Sequence, residues 1–100
     1  MNIAEHLDND TITVDIIGEV DGTNVGELEG ALKASISKAP NVIIDLKELN
    51  YVSSAGLRVF LLIRKLTASA GHNMVIKNVT PDVMEIFTVT GFVKLLNIET

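Results

Sequence analysis

One hundred residues, 47% hydrophobic and 21% charged, have the balance of one folded domain rather than of a disordered segment. The net charge of −5 speaks against direct binding to nucleic acid or to an anionic membrane surface, because both need a basic footprint. Without cysteine there is no disulfide, thiolate nucleophile or cysteine metal site; His6 and His72 lack metal-ligand spacing, so no metal and no cofactor are expected.

From the N-terminus, Met1 to Leu7 alternates loosely, Asp8-Asn9-Asp10 reads as a turn, and Thr11 to Ile17 alternates more clearly with Ile12, Val14 and Ile16 on one face. Together they predict a hairpin. Gly18-Glu19-Val20-Asp21-Gly22 interrupts the pattern. From Asn24 the period changes: Val25, Leu28, Leu32, Ile36 and Ala39 form the apolar stripe of a helix closed by Pro40. Asn24 and Glu27 have the spacing of a capping box.

Val42 to Leu46 is a continuous apolar run but for Asp45, as in a central strand buried on both faces. After a connection over Lys47 to Tyr51, a second helix is predicted from about Ser54 to Ala70, with Arg58, Lys65 and Ser69 on its exposed strip. Asn73 to Lys77 reads as a strand. Thr80-Pro81-Asp82 opens a third helix, with a capping hydroxyl, a proline at the first position and an acid near the positive end of the dipole; Gly91 closes it. Lys94 to Ile98 is predicted as a last short strand.

The expected order is β-β-α-β-α-β-α-β, an α/β fold with a mostly parallel sheet and an antiparallel edge hairpin, as one domain over residues 1–100. Met1 to Glu5 lacks the pattern of a signal peptide. The near-apolar stretch Leu57 to Leu66 contains Arg58, Arg64 and Lys65 and falls short of the ~20 residues that span a bilayer. A cytoplasmic protein with no membrane insertion is the expectation.

The segment that draws a functional reading is Asn50-Tyr51-Val52-Ser53-Ser54-Ala55-Gly56-Leu57-Arg58, between the central strand and the most apolar helix. A serine at a helix start has two possible tasks: capping a free backbone amide, or carrying a phosphoryl group that adds about −1.5 to −2 charges. Arg58 stands four residues beyond Ser54, within reach of such a group. Gly56 is tolerable in a first turn and is read as leaving the surface flat for a partner.

Four stretches in this order, Gly18-Glu19-Val20-Asp21-Gly22-Thr23-Asn24, Val42-Ile43-Ile44-Asp45-Leu46, Tyr51-Val52-Ser53-Ser54-Ala55-Gly56-Leu57 and Thr90-Gly91-Phe92, resemble the STAS domain. The nearest branch is the free-standing bacterial anti-sigma factor antagonists, or anti-anti-sigma factors. The resemblance covers nearly the whole chain. It implies a mixed sheet of four to five strands backed by helices. It also implies a further C-terminal helix, which this chain, ending soon after Ile98, is expected to lack or to keep very short. The family's phosphoacceptor is the first serine of an Asp-Ser-Ser-Gly-Leu-like run. Matching Gly56-Leu57 puts it at Ser54, with Ser53 in place of the aspartate and as the less favoured acceptor, and Ala55 in place of the second serine. Asp21 falls where the family often has an acid on the partner-binding face. Thr23 and Asn24 match weaker loop positions, and Gly56, Leu57 and Arg58 complete the implied partner-binding set.

What the resemblance implies is a phospho-switched regulator of sigma-factor-dependent transcription. Unphosphorylated, it sequesters an anti-sigma factor serine kinase; phosphorylation ends the complex and a PP2C-type phosphatase restores it. The alternative keeps the fold but makes the chain a scaffold or regulatory module of another signalling pathway, or a nucleotide-sensing domain. An enzyme is not expected. Neither serine lies in a G-x-S-x-G elbow, and the chain has no Walker loop or dinucleotide fingerprint.

Overall fold

The structure, a computed structural model, describes residues 1–99. Strands β1 (Asn2–Asp8) and β2 (Thr11–Val20) pair antiparallel from Asn2↔Ile17 to Asp8↔Thr11, and Asn9 at φ 56° makes the tight reversal between them. Helix α1 (Val25–Ile36) leads to β3 (Asn41–Asp45); β4 (Leu49–Val52) leads into α2 (Ser54–Ser69); β5 (Asn73–Lys77) is followed by α3 (Pro81–Val89). A 3-10 turn at Phe92–Lys94 precedes the short β6 (Ile98–Glu99). The sheet runs β1-β2-β3-β5-β6, parallel at every junction after the hairpin, and β4 pairs β2 off this path.

The alternation read in β2 is real: Ile12, Val14 and Ile16 are buried, and the residues between them are half-buried. Val42 and Ile44 of β3 are buried, whereas Ile43 between them is only half-buried, so the second face of this strand is less enclosed than its apolar run suggests. Leu28 and Leu32 of α1 and Leu57, Phe60 and Ile63 of α2 complete the core, and the Phe60 and Phe87 rings meet edge to face at 6.5 Å, tying α2 to α3.

Four readings of the sequence need correction. The Gly18–Val20 stretch does not interrupt β2 but extends it, because Gly18 takes φ 99° at a register shift. That extension provides an edge on which Leu49–Val52 forms a sixth strand where a plain connection was expected. The last strand is shorter and later than Lys94 to Ile98, since Phe92–Lys94 winds into the 3-10 turn instead. The two predicted hydroxyl or amide caps are also absent: the side chains of Asn24 and Thr80 make no capping bond at α1 or α3. The expectation about a further C-terminal helix concerns chain outside the described residues.

Candidate functional site

Parallel pairing of β4 with the end of β2 builds the site. Val20 stands opposite Val52, and the Ser53 amide donates to the Val20 carbonyl at 2.9 Å. The chain therefore leaves the sheet at two adjacent points, as the loop from Asp21 and as the start of α2 from Ser53.

The Asp21 loop holds itself together. The Asp21 carboxylate accepts from the Thr23 amide at 2.8 Å and the Thr23 hydroxyl at 2.6 Å. Asn24 accepts from the Asp21 amide at 3.0 Å and donates to the Glu19 carbonyl at 2.9 Å, which is why its side chain is not free to cap α1. The Asp21 carboxyl is held below its ordinary range, first by the Thr23 hydroxyl and then by the Thr23 amide.

At α2, the adjacent serines separate into two environments. Ser53 is extended, at φ −79° and ψ 168°, and its hydroxyl accepts from the Gly56 amide at 3.3 Å as the helix cap. Ser54 is the first helical residue and is exposed. Arg58 is exposed one turn later. Gly56 does not present a flat surface to a partner, as its sequence suggested, because it faces inward. A Cβ at this position would lie 2.6 Å from Val52 Cγ2 and 2.8 Å from Val20 Cγ1, so only glycine lets α2 settle this close to the ends of β2 and β4. Leu57 is likewise fully buried. These two shape the site from beneath, while Asp21, Thr23, Asn24, Ser54 and Arg58 remain at least partly open to solvent.

Two neighbouring features were not singled out from the sequence. Tyr51, opposite Glu19, is 46% exposed beside the site. A shallow groove of about 300 Å³ between α1 and α2 is lined by Val25, Glu29, Ala55, Arg58, Val59 and Leu62. Its two walls are some thirty residues apart in sequence, so no local pattern announces it.

Chemically, the site offers an exposed hydroxyl next to free helix-start amides, a nearby cation and an adjacent acidic loop. His72 lies past the far end of α2, roughly 24 Å away at 1.5 Å per residue, and supplies no base to Ser54. Among the described residues, no three metal-ligating side chains cluster and no helix is long and apolar enough to cross a membrane.

Comparison with known proteins agrees with this architecture. The STAS domain profile matches residues 2–100. BtrV of Bordetella bronchiseptica, which carries the name of an anti-sigma factor antagonist, is 38% identical over 79 residues, spanning 78% of this chain and 68% of that protein. The anti-sigma-B factor antagonist of Bacillus subtilis is 26% identical over 98 residues, spanning 98% of this chain and 90% of its own. Among solved structures, the anti-sigma factor antagonist SpoIIAA in its unphosphorylated form superposes with a TM-score of 0.79 at 17% identity, covering 99% of this chain and 89% of SpoIIAA. The phosphorylated form of this Bacillus protein gives 0.73 at 16% identity, covering 99% and 92%. At such identities the superpositions establish the shared fold. The profile match and the sequence relatives go further: the chain belongs to the STAS domain family, in its anti-sigma factor antagonist branch.

Proposed function

We propose that this chain is a phospho-switched binding module, which in its unphosphorylated state sequesters an anti-sigma factor serine kinase and so frees a sigma factor. Ser54 is the acceptor. Its hydroxyl attacks the γ-phosphorus of ATP held by the kinase, ADP leaves, and the hydroxyl proton passes to a base on the kinase. A PP2C-type phosphatase hydrolyses the phosphoserine and restores the binding state.

The observation that carries this reading is the division of labour between the adjacent serines. Ser53 is extended and engaged in capping, while Ser54 is exposed at the helix start, beside the acidic Asp21 loop. A dianion placed there opposes a partner surface that fits the neutral hydroxyl, through both repulsion and desolvation. Asp21, Thr23, Asn24 and Arg58 supply the surrounding polar contacts, and Gly56 and Leu57 hold the helix start in place.

The test is peptide-mapped mass spectrometry after incubation with ATP and the candidate host kinase, on the unsubstituted chain, Ser53→Ala and Ser54→Ala. One phosphoryl group, lost only in Ser54→Ala, is the expected result. Loss only in Ser53→Ala moves the acceptor by one residue. No modification by a kinase shown to be active defeats the cycle for that pairing.

A further inference from the structure

Charge is unevenly distributed over this acidic chain. Of eight lysines and arginines, Lys33, Lys38, Lys47 and Lys77 pair with carboxylates at 2.7–3.4 Å. Arg58, Arg64, Lys65 and Lys94 have no such partner among the described residues. Three of these four are on α2, which contains no aspartate or glutamate.

Arg58 is the one beside Ser54. Four residues on, it stands roughly 6 Å along the helix axis, whereas Arg64 and Lys65 stand roughly 15 Å away or more. Helical side chains lean toward the N-terminus, so a long side chain at position i+4 lies over the turn that contains i. Both residues are exposed, and the groove between α1 and α2 leaves the guanidinium room to move. Glu29, the carboxylate that shares the groove with Arg58, is already engaged by Lys33 at 2.9 Å.

We propose that Arg58 is the internal partner of a phosphoryl group on Ser54, folding back over the first turn of α2 to bind the phosphate oxygens. The inference rests on Ser54 as acceptor and adds a second component to the switch. Phosphorylation brings negative charge and at the same time withdraws the adjacent free cation from the surface a partner meets. A guanidinium suits this role because its planar fork matches two phosphate oxygens at once. Asp21, next to the Val20 carbonyl that holds the Ser53 amide, and Glu29, on the groove shared with Arg58, are the charged groups of β2's loop and of α1 near this helix start. Along with the α2 helix end, they are common to any variant at position 58 and cancel in a comparison.

The experiment needs no kinase. Phosphoserine is installed at position 54 during translation, and the second ionisation of the phosphate is followed by 31P NMR in chains carrying Arg58, Arg58→Lys and Arg58→Gln. With Arg58 the phosphate is expected to titrate about 0.2–0.7 pH unit lower than in Arg58→Gln, the scale of an exposed ion pair, with lysine between them. In the unsubstituted phosphorylated chain, the Arg58 Nε–H resonance is expected to move with the same titration, a readout that needs no substitution at all. Identical phosphate titrations in all three chains, with an Nε–H signal that ignores the phosphate, overturn the proposal. Because the phosphoserine is built in, that failure is separate from failure of the kinase to modify Ser54.

Discussion

Asp21 and Asp45 leave the sheet at the carboxyl ends of neighbouring parallel strands, and both carboxyls are held below their ordinary range, but by different means. Every bond that lowers Asp21 comes from within three residues, from Thr23 and Asn24. Asp45 is only 8% exposed, and burial pushes its carboxyl up. The Lys47 amide at 3.0 Å, the Asn78 side chain at 3.0 Å and the Lys47 charge outweigh that push. Asp21 therefore closes a loop onto itself at the surface, whereas Asp45 joins the connection leading into β4 to the connection leaving β5. The first shapes an exposed loop next to the start of α2. The second ties two connections of the sheet together, away from the exposed loop and the start of α2.

The largest effect is expected where the site is held from beneath. Gly56→Val puts a branched side chain where even a Cβ is too close to Val20 and Val52. The helix start must lift off the strand ends, with an expected loss of about 3 kcal/mol of folding stability by urea denaturation. A Gly56→Val chain with unchanged stability would show that α2 does not need this close approach, and the site geometry argued from it would fall.

Asp45→Ala comes next, because it removes the buried carboxylate to which the Lys47 amide and the Asn78 side chain donate. The expected loss is about 2 kcal/mol. Acid sharpens the contrast. The unfolded chain takes up the Asp45 proton near its ordinary value of about 3.9, while the folded carboxyl stays ionised to lower pH. In that window the unfolded state binds more protons, so the stability contributed by Asp45 is present above about pH 4 and is lost as pH falls through the folded value. Asp45→Asn removes this contribution, and thermal melts of that variant below about pH 4.5 are expected to depend less steeply on pH. Asp21 and Glu5, also lowered, add to the same acid limb and remain in both chains.

The same contrast explains what was legible in the sequence. The hairpin, the three helices and the strand over Asn73 to Lys77 are carried by local periodicity, and the serine cap and the Asp21–Asn24 loop lie within a few residues of chain. What escaped depends on distant partners. Leu49–Val52 is too short to announce a strand, and its partner edge exists only because Gly18 carries β2 past an apparent break. The inward turn of Gly56 is set by Val20 and Val52 together, and Asp45 finds Asn78 33 residues away. The stretches that carry the candidate site's polar residues could thus be singled out from the sequence, but the elements that hold them together could not.

Between the two serines a smaller effect is expected. Ser53→Ala removes the acceptor for the Gly56 amide and costs about 1 kcal/mol, whereas Ser54→Ala, at an exposed position, stays within about 0.5 kcal/mol of the parent. Parallel denaturation curves check this. A larger loss for Ser54→Ala would assign the cap to the wrong serine and remove the structural reason for favouring Ser54 as acceptor.

The smallest effect on stability is expected from Asp21→Ala, since the bonds it loses are exposed and confined to its own loop. Its melting temperature should shift less than that of Asp45→Ala. Its binding to the kinase partner proposed above, measured by calorimetry on the unphosphorylated chain, should weaken by at least about fivefold, the effect of truncating an interface contact worth more than 1 kcal/mol. Asp45→Ala should show the reverse pattern: a lower melting temperature, with kinase affinity retained once the folded fraction is accounted for. If Asp21→Ala instead unfolds as readily as Asp45→Ala and binds the kinase normally, the acidic loop is a support and not a contact, and the partner surface must be sought around Ser54, Arg58 and the groove between α1 and α2.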